Sequence, residues 1–560
     1  MPEHFSLLAR AWIPVALSDG RRVFVRPCEI AQPYEGNPIL RIATGRPDCD
    51  IALIEFLIGL LAISMDGLDK RNWATRFHAP PSRDELAAAF EPLAPAMILD
   101  GDGPRFFQDR EPLDGSPSPV SGLLVDAPGT STLKDNADHF VKRGRTNTLS
   151  RTGAAIALLT LQTQAPSGGA GHRTSLRGGG PLTTLVLPGL PDKSLPTLWQ
   201  RLWANTPEGL HAEPGDYERV FPWLVPTRTS DKSGVETTPD HVHKAQAFFG
   251  LPRRIRLVFE AAADGAICDL TGECDDVKVS GYVTRPWGTN YTAWSKGHPL
   301  SPYYKQREAD PEYLPLHAKS SRFGYRQYLG LALASKDELR LPAQCVTDFR
   351  DTRADDFSGD ARQAMRDCQI LVAGYAMDNM KPLDFAEALV PLVITGNPTS
   401  DKHVHDTARR FVNGADETAR LLVSSVKRAL HGERGDAARD STVLQPIANR
   451  FWSDTERDFY DALRDAADRL ISPDGVPVTR PGDTKRDLAD RWLGILKWHA
   501  FAIFDDVVPI DSAEARRIAD VVAGRKSIGL ALAGYGGAGK KLYAALELPL
   551  PLQKTRKAAA

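Results

Sequence analysis

The chain has 560 residues, beyond the roughly 100–200 of one ordinary domain, so about two to four domains are expected. Its 42% hydrophobic and 25% charged residues exclude a disordered or fibrous protein. The net charge of −2 argues neither for nor against nucleic acid, because binding depends on where basic side chains cluster.

The start, "MPEHFSLLARAWIPV", has no basic stretch followed by a long apolar run and a cleavage site, so no signal peptide is expected. "WIPVAL" and "RRVFVRP" read as short strands between turn residues. "IALIEFLIGLLAI", Ile51 to Ile63, is thirteen residues long with Glu55 inside it. A membrane span needs about 20, so a buried core helix is expected and no membrane partner. Further on, "GAAIALLTLQTQ" (Gly153–Gln164) predicts a helix and "RRIRLVFE" (Arg253–Glu260) a strand. Recurring Pro and Gly make this half an irregular α+β domain with long loops.

After about Gly359 the texture changes. Val412, Ala415, Ala419, Leu422, Val426 and Ala429 recur with spacings of three and four, the seam of a helix packed in a bundle. Phe459, Leu463, Ala466 and Leu470 repeat it, as do Leu488, Trp492, Ile495, His499 and Ala502. The expected fold class is α+β: a large mixed domain over 1–358, then an all-α four-helix bundle over 359–560.

The six cysteines are sparse and irregular, which argues against a secreted disulfide framework and for a reducing, cytoplasmic setting. Cys268 and Cys274, in "CDLTGEC", could form half of a zinc loop, yet a closed site needs four ligands and no second pair stands nearby. Histidine pairs at i, i+2 occur in "DHVHK" (Asp240–Lys244) and "DKHVHD" (Asp401–Asp406). That spacing suits a strand, whereas the second pair falls in a predicted helix, so no metal site is expected. "GYGGAGKKL" carries Gly534, Gly539 and Lys540 in the spacing of a phosphate-binding loop, but Lys541 stands where a hydroxyl must hold magnesium. An ATP-binding enzyme using Gly534–Lys540 is thus an alternative; the plainer reading is a turn between two helices. No cofactor is expected.

The glycine-rich stretch "SGGAGHRTSLRGGGPLTTL" follows the Gly153–Gln164 helix. Six of the thirteen residues from Gly168 to Gly180 are glycine, which permits positive φ and close approach of a partner to the main chain. Residues 131–180 hold seven basic residues, Lys134, Lys142, Arg143, Arg145, Arg151, Arg173 and Arg177, against Asp135 and Asp138. A local excess of this kind is the electrostatic footprint of a phosphate partner; a solvated loop is the plainer alternative.

With the opening "LLARAWIPV", the loop "STLKDNADHFVKRGR", "QAPSGGAGHRTSLRGGGPLTTL", "FPWLVPTRTS", "FFGLPRRIRLVFE", "CDLTGE", "GYVTRPWGTNYTAW" and "HPLSPYY", in that order and followed by helices, the chain resembles the CasA large-subunit family of the type I-E CRISPR surveillance complex Cascade. The resemblance runs over nearly the whole chain. It implies a non-catalytic DNA reader with a mixed domain and a four-helix bundle, which recognises the protospacer-adjacent motif (PAM) in double-stranded target DNA and starts duplex opening and R-loop formation. The partners it implies are the guide RNA ribonucleoprotein, the backbone, small and 5′-handle subunits, and a helicase-nuclease that the complex recruits.

Carried over residue by residue, the resemblance makes Gly168, Gly169, Ala170 and Gly171 the PAM glycine loop, Ala170 departing from an all-glycine pattern. It makes Gln327, supported by Tyr325 and Arg326, the wedge, and Arg285 the minor-groove cation. About Thr130–Ser150 becomes a flexible loop near the guide's 5′ end, with Phe140, Lys142, Arg143 and Arg145 as contacts. A purely structural scaffold remains the third alternative, one in which neither glycine loop nor wedge touches DNA.

Overall fold

The alternation in "WIPVAL" and "RRVFVRP" becomes two antiparallel strands, β1 (Ile13–Leu17) and β2 (Arg22–Val25), with β3 (Ile39–Ile42) on the other side of β1. Ile13, Val15 and Leu17 are buried, as the two-residue period requires. The β1–β2 connection turns at Gly20, whose φ of 87° a side chain would strain. The computed structural model describes residues 4–65, 70–136, 143–166, 168–169, 171–231, 234–319, 323–378, 381–395, 398–432, 441–470, 481–510 and 518–551.

The apolar run is the body of α1 (Pro47–Ser64), which begins with proline in its first turn and Asp48 and Asp50 near its positive end. Its side chains are buried almost all round, so it is a core helix rather than an amphipathic one. Trp12, Phe56 and Phe106 meet edge to face beside it, with ring centroids 5.4 to 6.2 Å apart. Packed on α1 is α2 (Arg151–Gln164), capped by the Ser150 hydroxyl, which accepts the Gly153 N–H at 3.0 Å.

Following α2 come β4 (Thr183–Leu187), α3 (Leu198–Asn205) and a long hairpin of β5 (Arg254–Ile267) and β6 (Cys274–Arg285). The predicted strand at Arg253–Glu260 is the first part of β5. Irregularities between Asp275 and Val277 and between Val279 and Gly281 bend the hairpin. One end carries Arg285, paired with Arg254; the other carries the turn Cys268–Glu273.

By chain contacts, residues 1–322, 330–332 and 337–389 form one compact unit, and residues 323–329, 333–336 and 390–560 a second. The helical part therefore does not start near 358. Between lie β7 (Gln369–Asp378) and β8 (Lys381–Pro391), and β7 pairs with β4 as well as β8. "QILVAGYAMD" buries Ile370, Val372, Ala373, Tyr375 and Ala376, so its apolar residues complete the sheet of the first unit instead of opening a bundle.

In the second unit the central helix is α4 (Pro398–His431), against which α5 (Ser441–Asp454), α6 (Glu456–Leu470), α7 (Pro481–Val507), α8 (Ile518–Leu532) and α9 (Gly536–Ala545) all pack. The predicted seam of α4, Val412 to Ala429, is buried throughout, as are Phe459, Leu463 and Ala466 of α6; the side chain of Leu470 lies outside the described residues. On α7 the seam drifts. Leu488, Trp492 and His499 are buried, but Leu496, Ala500 and Ile503 continue the core while Ile495 is half-buried and Ala502 exposed. A 3.6-residue helix rotates away from a strict 3.5-residue repeat over this length. Among the described residues, no helix is long and apolar enough to cross a membrane.

Candidate nucleic-acid interface

The glycine loop leaves the C-terminal end of α2. Gln162 braces this exit, its amide donating to the carbonyls of Phe107 (3.1 Å) and Arg253 (3.0 Å) and its carbonyl accepting the Arg253 N–H at 3.0 Å. The Arg253 guanidinium donates to the Pro166 carbonyl. Burial pushes Arg253 down to about 10, and burial followed by the Arg253 charge holds His172 below its usual range.

Gly168 and Gly169 are exposed. Gly169 has φ 74° and open space where a Cβ would project, while a Cβ on Gly168 would run into the Arg253 guanidinium. Gly171 has φ 81°, and its Cβ would fall 2.9 Å from the indole of Trp287. The loop is pinned by the His172 N–H donating to Gly169 O at 2.8 Å and the Trp287 N–H donating to Gly171 O at 2.7 Å. At Gly169 the main chain is thus exposed, with no side chain within 4 Å of where a Cβ would project. Ala170 lies outside the described residues.

The Trp287 bond brings a second segment to the loop. Arg285, two residues before Trp287, is exposed at the end of β6. Its cross-strand neighbour Arg254 is neutralised by Asp109 at 2.6 Å, whereas Arg285 has no ion-pair partner among the described residues. Arg173 packs on the same tryptophan, its guanidinium over the Trp287 ring at 5.4 Å and its Nε donating to the Ser230 hydroxyl at 2.8 Å.

Two of the seven basic residues counted in 131–180 leave the footprint. Arg177 is buried and paired with Glu55 at 2.6 Å; it also donates to Ser301 at 2.9 Å and Thr183 at 3.2 Å. Arg151 is held by Asp275 at 2.7 Å and Asp276 at 2.6 Å. The second glycine cluster is correspondingly internal. The Gly180 N–H donates to Gln164 O at 3.0 Å, and the chain turns directly into β4.

In the loop before α2, Phe140 and Lys142 lie outside the described residues, and Arg143 and Arg145 are exposed. Arg143 donates to Leu133 O at 3.1 Å and to the Asn136 side chain at 3.0 Å. The return of this loop is fixed from the hairpin turn. Asp269 Oδ2 accepts the N–H groups of Asn147 (2.8 Å) and Thr148 (3.0 Å), and the Asp269 N–H donates to Thr148 O at 3.0 Å.

The Tyr325–Gln327 turn belongs to the helical unit. Tyr325 is 1% exposed, stacked on Phe459 at 4.5 Å, and its hydroxyl meets Thr455 Oγ1 at 2.5 Å. In this position Tyr325 anchors the turn and has no face for a duplex. Arg326 is exposed over Trp452 at 5.8 Å; Gln327 is half-buried, its carbonyl accepting the Gly324 N–H at 3.1 Å. The "FGYRQY" aromatics thus serve the helical core, which is why residues 323–329 leave the domain assigned to them by chain position.

Other motifs resolve into local structure. Gly534 lies between α8 and α9, so a helix and not a strand precedes the phosphate-loop look-alike. His241 and His243 accept the N–H groups of Thr238 and Ala245 at 3.1 and 3.2 Å, the work of turn caps. Cys268 is buried and Cys274 exposed, and no group of three or more metal-binding side chains gathers among the described residues. Sequence reasoning passed over Trp287 and Asp269; "RPWG", an aromatic beside a glycine, and the acid in "CDLTGE" were the available signals.

A family model described as CRISPR-associated protein Cse1 matches residues 6–501. Among solved structures, Cse1 from Acidimicrobium ferrooxidans is similar at a TM-score of 0.64 and 19% identity, covering 98% of this chain and 99% of that one. Cse1 from Thermobifida fusca gives 0.65 at 15% identity, with 97% and 98% covered. A chain of a CRISPR RNA-guided surveillance complex, pre-nicking, gives 0.56 at 15%, with 94% and 99% covered.

Proposed function

The chain belongs to the CRISPR-associated protein Cse1 family, and on that premise we propose that it is the large subunit of a Cascade-type RNA-guided surveillance complex. In this role it reads the PAM in double-stranded DNA and begins strand separation without chemistry of its own. The observation that carries this reading is the exposed main chain at Gly168–Gly169, on a loop tied at Gly171 to Trp287, which lies under the Arg173 guanidinium and two residues after the exposed Arg285. Backbone N–H donors and cations suit a minor groove, whose floor offers acceptors at every base pair and separates G·C from A·T only by the guanine amino donor. Such a reader accepts several related motifs.

Opening a base step beside the motif costs a few kcal/mol of unstacking, which new contacts must offset. Gln327, with exposed Arg326 on the same turn, supplies the wedge in this reading, and Tyr325 holds that turn in place. Once strands part, sequence is read by guide pairing, the division of labour described for another CRISPR effector. Arg143 and Arg145 face the guide end, the helical unit joins the small subunits in holding the displaced strand, and the assembly recruits the helicase-nuclease.

The test uses the reconstituted complex. Gly169→Asp and Gln327→Ala are each expected to weaken binding to PAM-bearing duplex while leaving assembly intact. Wild-type binding by both variants would sink the reading in favour of a structural scaffold.

A further inference from the structure

Trp287 has φ 64°, a left-handed conformation unusual for a bulky aromatic residue. Such a conformation persists only where the surroundings impose it. Three contacts meet at this residue. Its N–H holds Gly171 O at 2.7 Å, its ring fills the space a Cβ on Gly171 would need, and the Arg173 guanidinium lies over its face at 5.4 Å. From the other side the Ser230 hydroxyl accepts Arg173 Nε at 2.8 Å and donates to Gly288 O at 2.6 Å, while the Ser230 N–H donates to Trp287 O at 3.1 Å.

Arg173 is thereby a half-buried cation with an immobilised stem, and no carboxylate pairs with it among the described residues. Arg177, four residues on, shows what a structural arginine looks like here: buried, with Glu55, Thr183 and Ser301 around it. Arg173 has one aromatic face and one hydroxyl. A planar guanidinium held along one edge keeps the remaining N–H donors in a fixed fork, the geometry that fits a phosphodiester. We propose that Arg173 is a phosphate-binding residue of the glycine-loop site, seating the backbone of the duplex whose groove meets Gly168–Gly169. Trp287 is the positioning residue that sets both the loop and this cation. The inference rests on the DNA-reading function above and adds to it the ligand group and the residue that takes it.

The experiment measures affinity of the reconstituted complex for a PAM-bearing duplex across a salt series, for wild type, Arg173→Ala, Arg173→Lys and Gly169→Asp. Removing one phosphate contact lowers the slope of log K against log salt by about 0.9. Arg173→Ala is expected to show that drop with about tenfold weaker binding. Arg173→Lys keeps the charge and the slope but loses the stacked fork, so its affinity falls short of wild type. An unchanged slope for Arg173→Ala overturns the assignment, and wild-type affinity for Arg173→Lys overturns the role of the stack. Gly169→Asp separates the two levels. If it weakens binding while Arg173→Ala does not, the inference alone fails; if both behave as wild type, the DNA-reading function fails with it.

Discussion

Glu55 of α1 and Arg177 of the second glycine cluster form an ion pair at 2.6 Å with each side chain only 3% exposed. Thr183 donates to the same carboxylate and Ser301 accepts from the same guanidinium, so four polar groups close a network inside the first unit. Breaking one partner of a buried pair leaves the other charge uncompensated, which costs about 3–5 kcal/mol. Glu55→Ala and Arg177→Ala are each expected to lower the unfolding free energy by that order. The double variant carrying both Glu55→Ala and Arg177→Ala removes both charges, and its loss is expected to be smaller than the sum of the singles. Denaturant unfolding of the four proteins checks this, and strictly additive losses would refute the coupling.

His298 borders this network. Its Nδ1 accepts the Leu300 N–H at 3.2 Å, its Nε2 lies 3.9 Å from Glu55, its backbone N–H donates to the Tyr303 hydroxyl, and Phe248 covers the ring at 4.9 Å. Burial, reinforced by the Arg177 charge, holds its pKa well below the usual histidine value. The sign follows from proton binding: below about pH 6.5 the unfolded chain takes up a proton that the folded one resists. Stability from this group is full above that pH and is lost as pH falls further. His298→Gln is expected to flatten the dependence of the unfolding midpoint between pH 6.5 and 5. A variant with the same acid slope as wild type would remove His298 as the cause.

Tyr325 tests whether the wedge turn is anchored as described. Tyr325→Phe removes the hydroxyl contact with Thr455 (2.5 Å) and is expected to cost about 1 kcal/mol. Tyr325→Ala also empties the stack on Phe459 and is expected to cost about 3–5 kcal/mol. Thermal unfolding resolves the two. Unaltered stability in Tyr325→Ala would mean that the residue is not part of the helical core.

Asp269 closes the return of the 130–150 loop through two N–H groups. Asp269→Ala is expected to release the amides of Asn147 and Thr148 to faster hydrogen exchange, and Asp269→Asn, which keeps one acceptor oxygen, to fall between. Equal protection in all three proteins would show that other contacts hold this segment.

The elements of this protein were largely legible along the chain because most bury one stripe or face, and burial leaves a period. The Val412–Ala429 seam and the strand at Arg253–Glu260 are of this kind; Ile51–Ile63, buried almost all round, was legible from its unbroken apolar run, and the first glycine cluster because Gly169 and Gly171 hold positive φ. Charge is different, since an arginine looks the same in sequence whether it faces solvent or a carboxylate. Arg177 and Arg151 lost their footprint role to Glu55 and Asp275, 122 and 124 residues away. The same holds for the domain boundary: β7 pairs with β4 at a sequence distance no local pattern records, and Tyr325 follows Phe459 into the helical core. Periodicity in sequence determined which faces are buried; only the tertiary structure decided which distant groups meet there, because a partner's identity enters through space and not through the order of the chain.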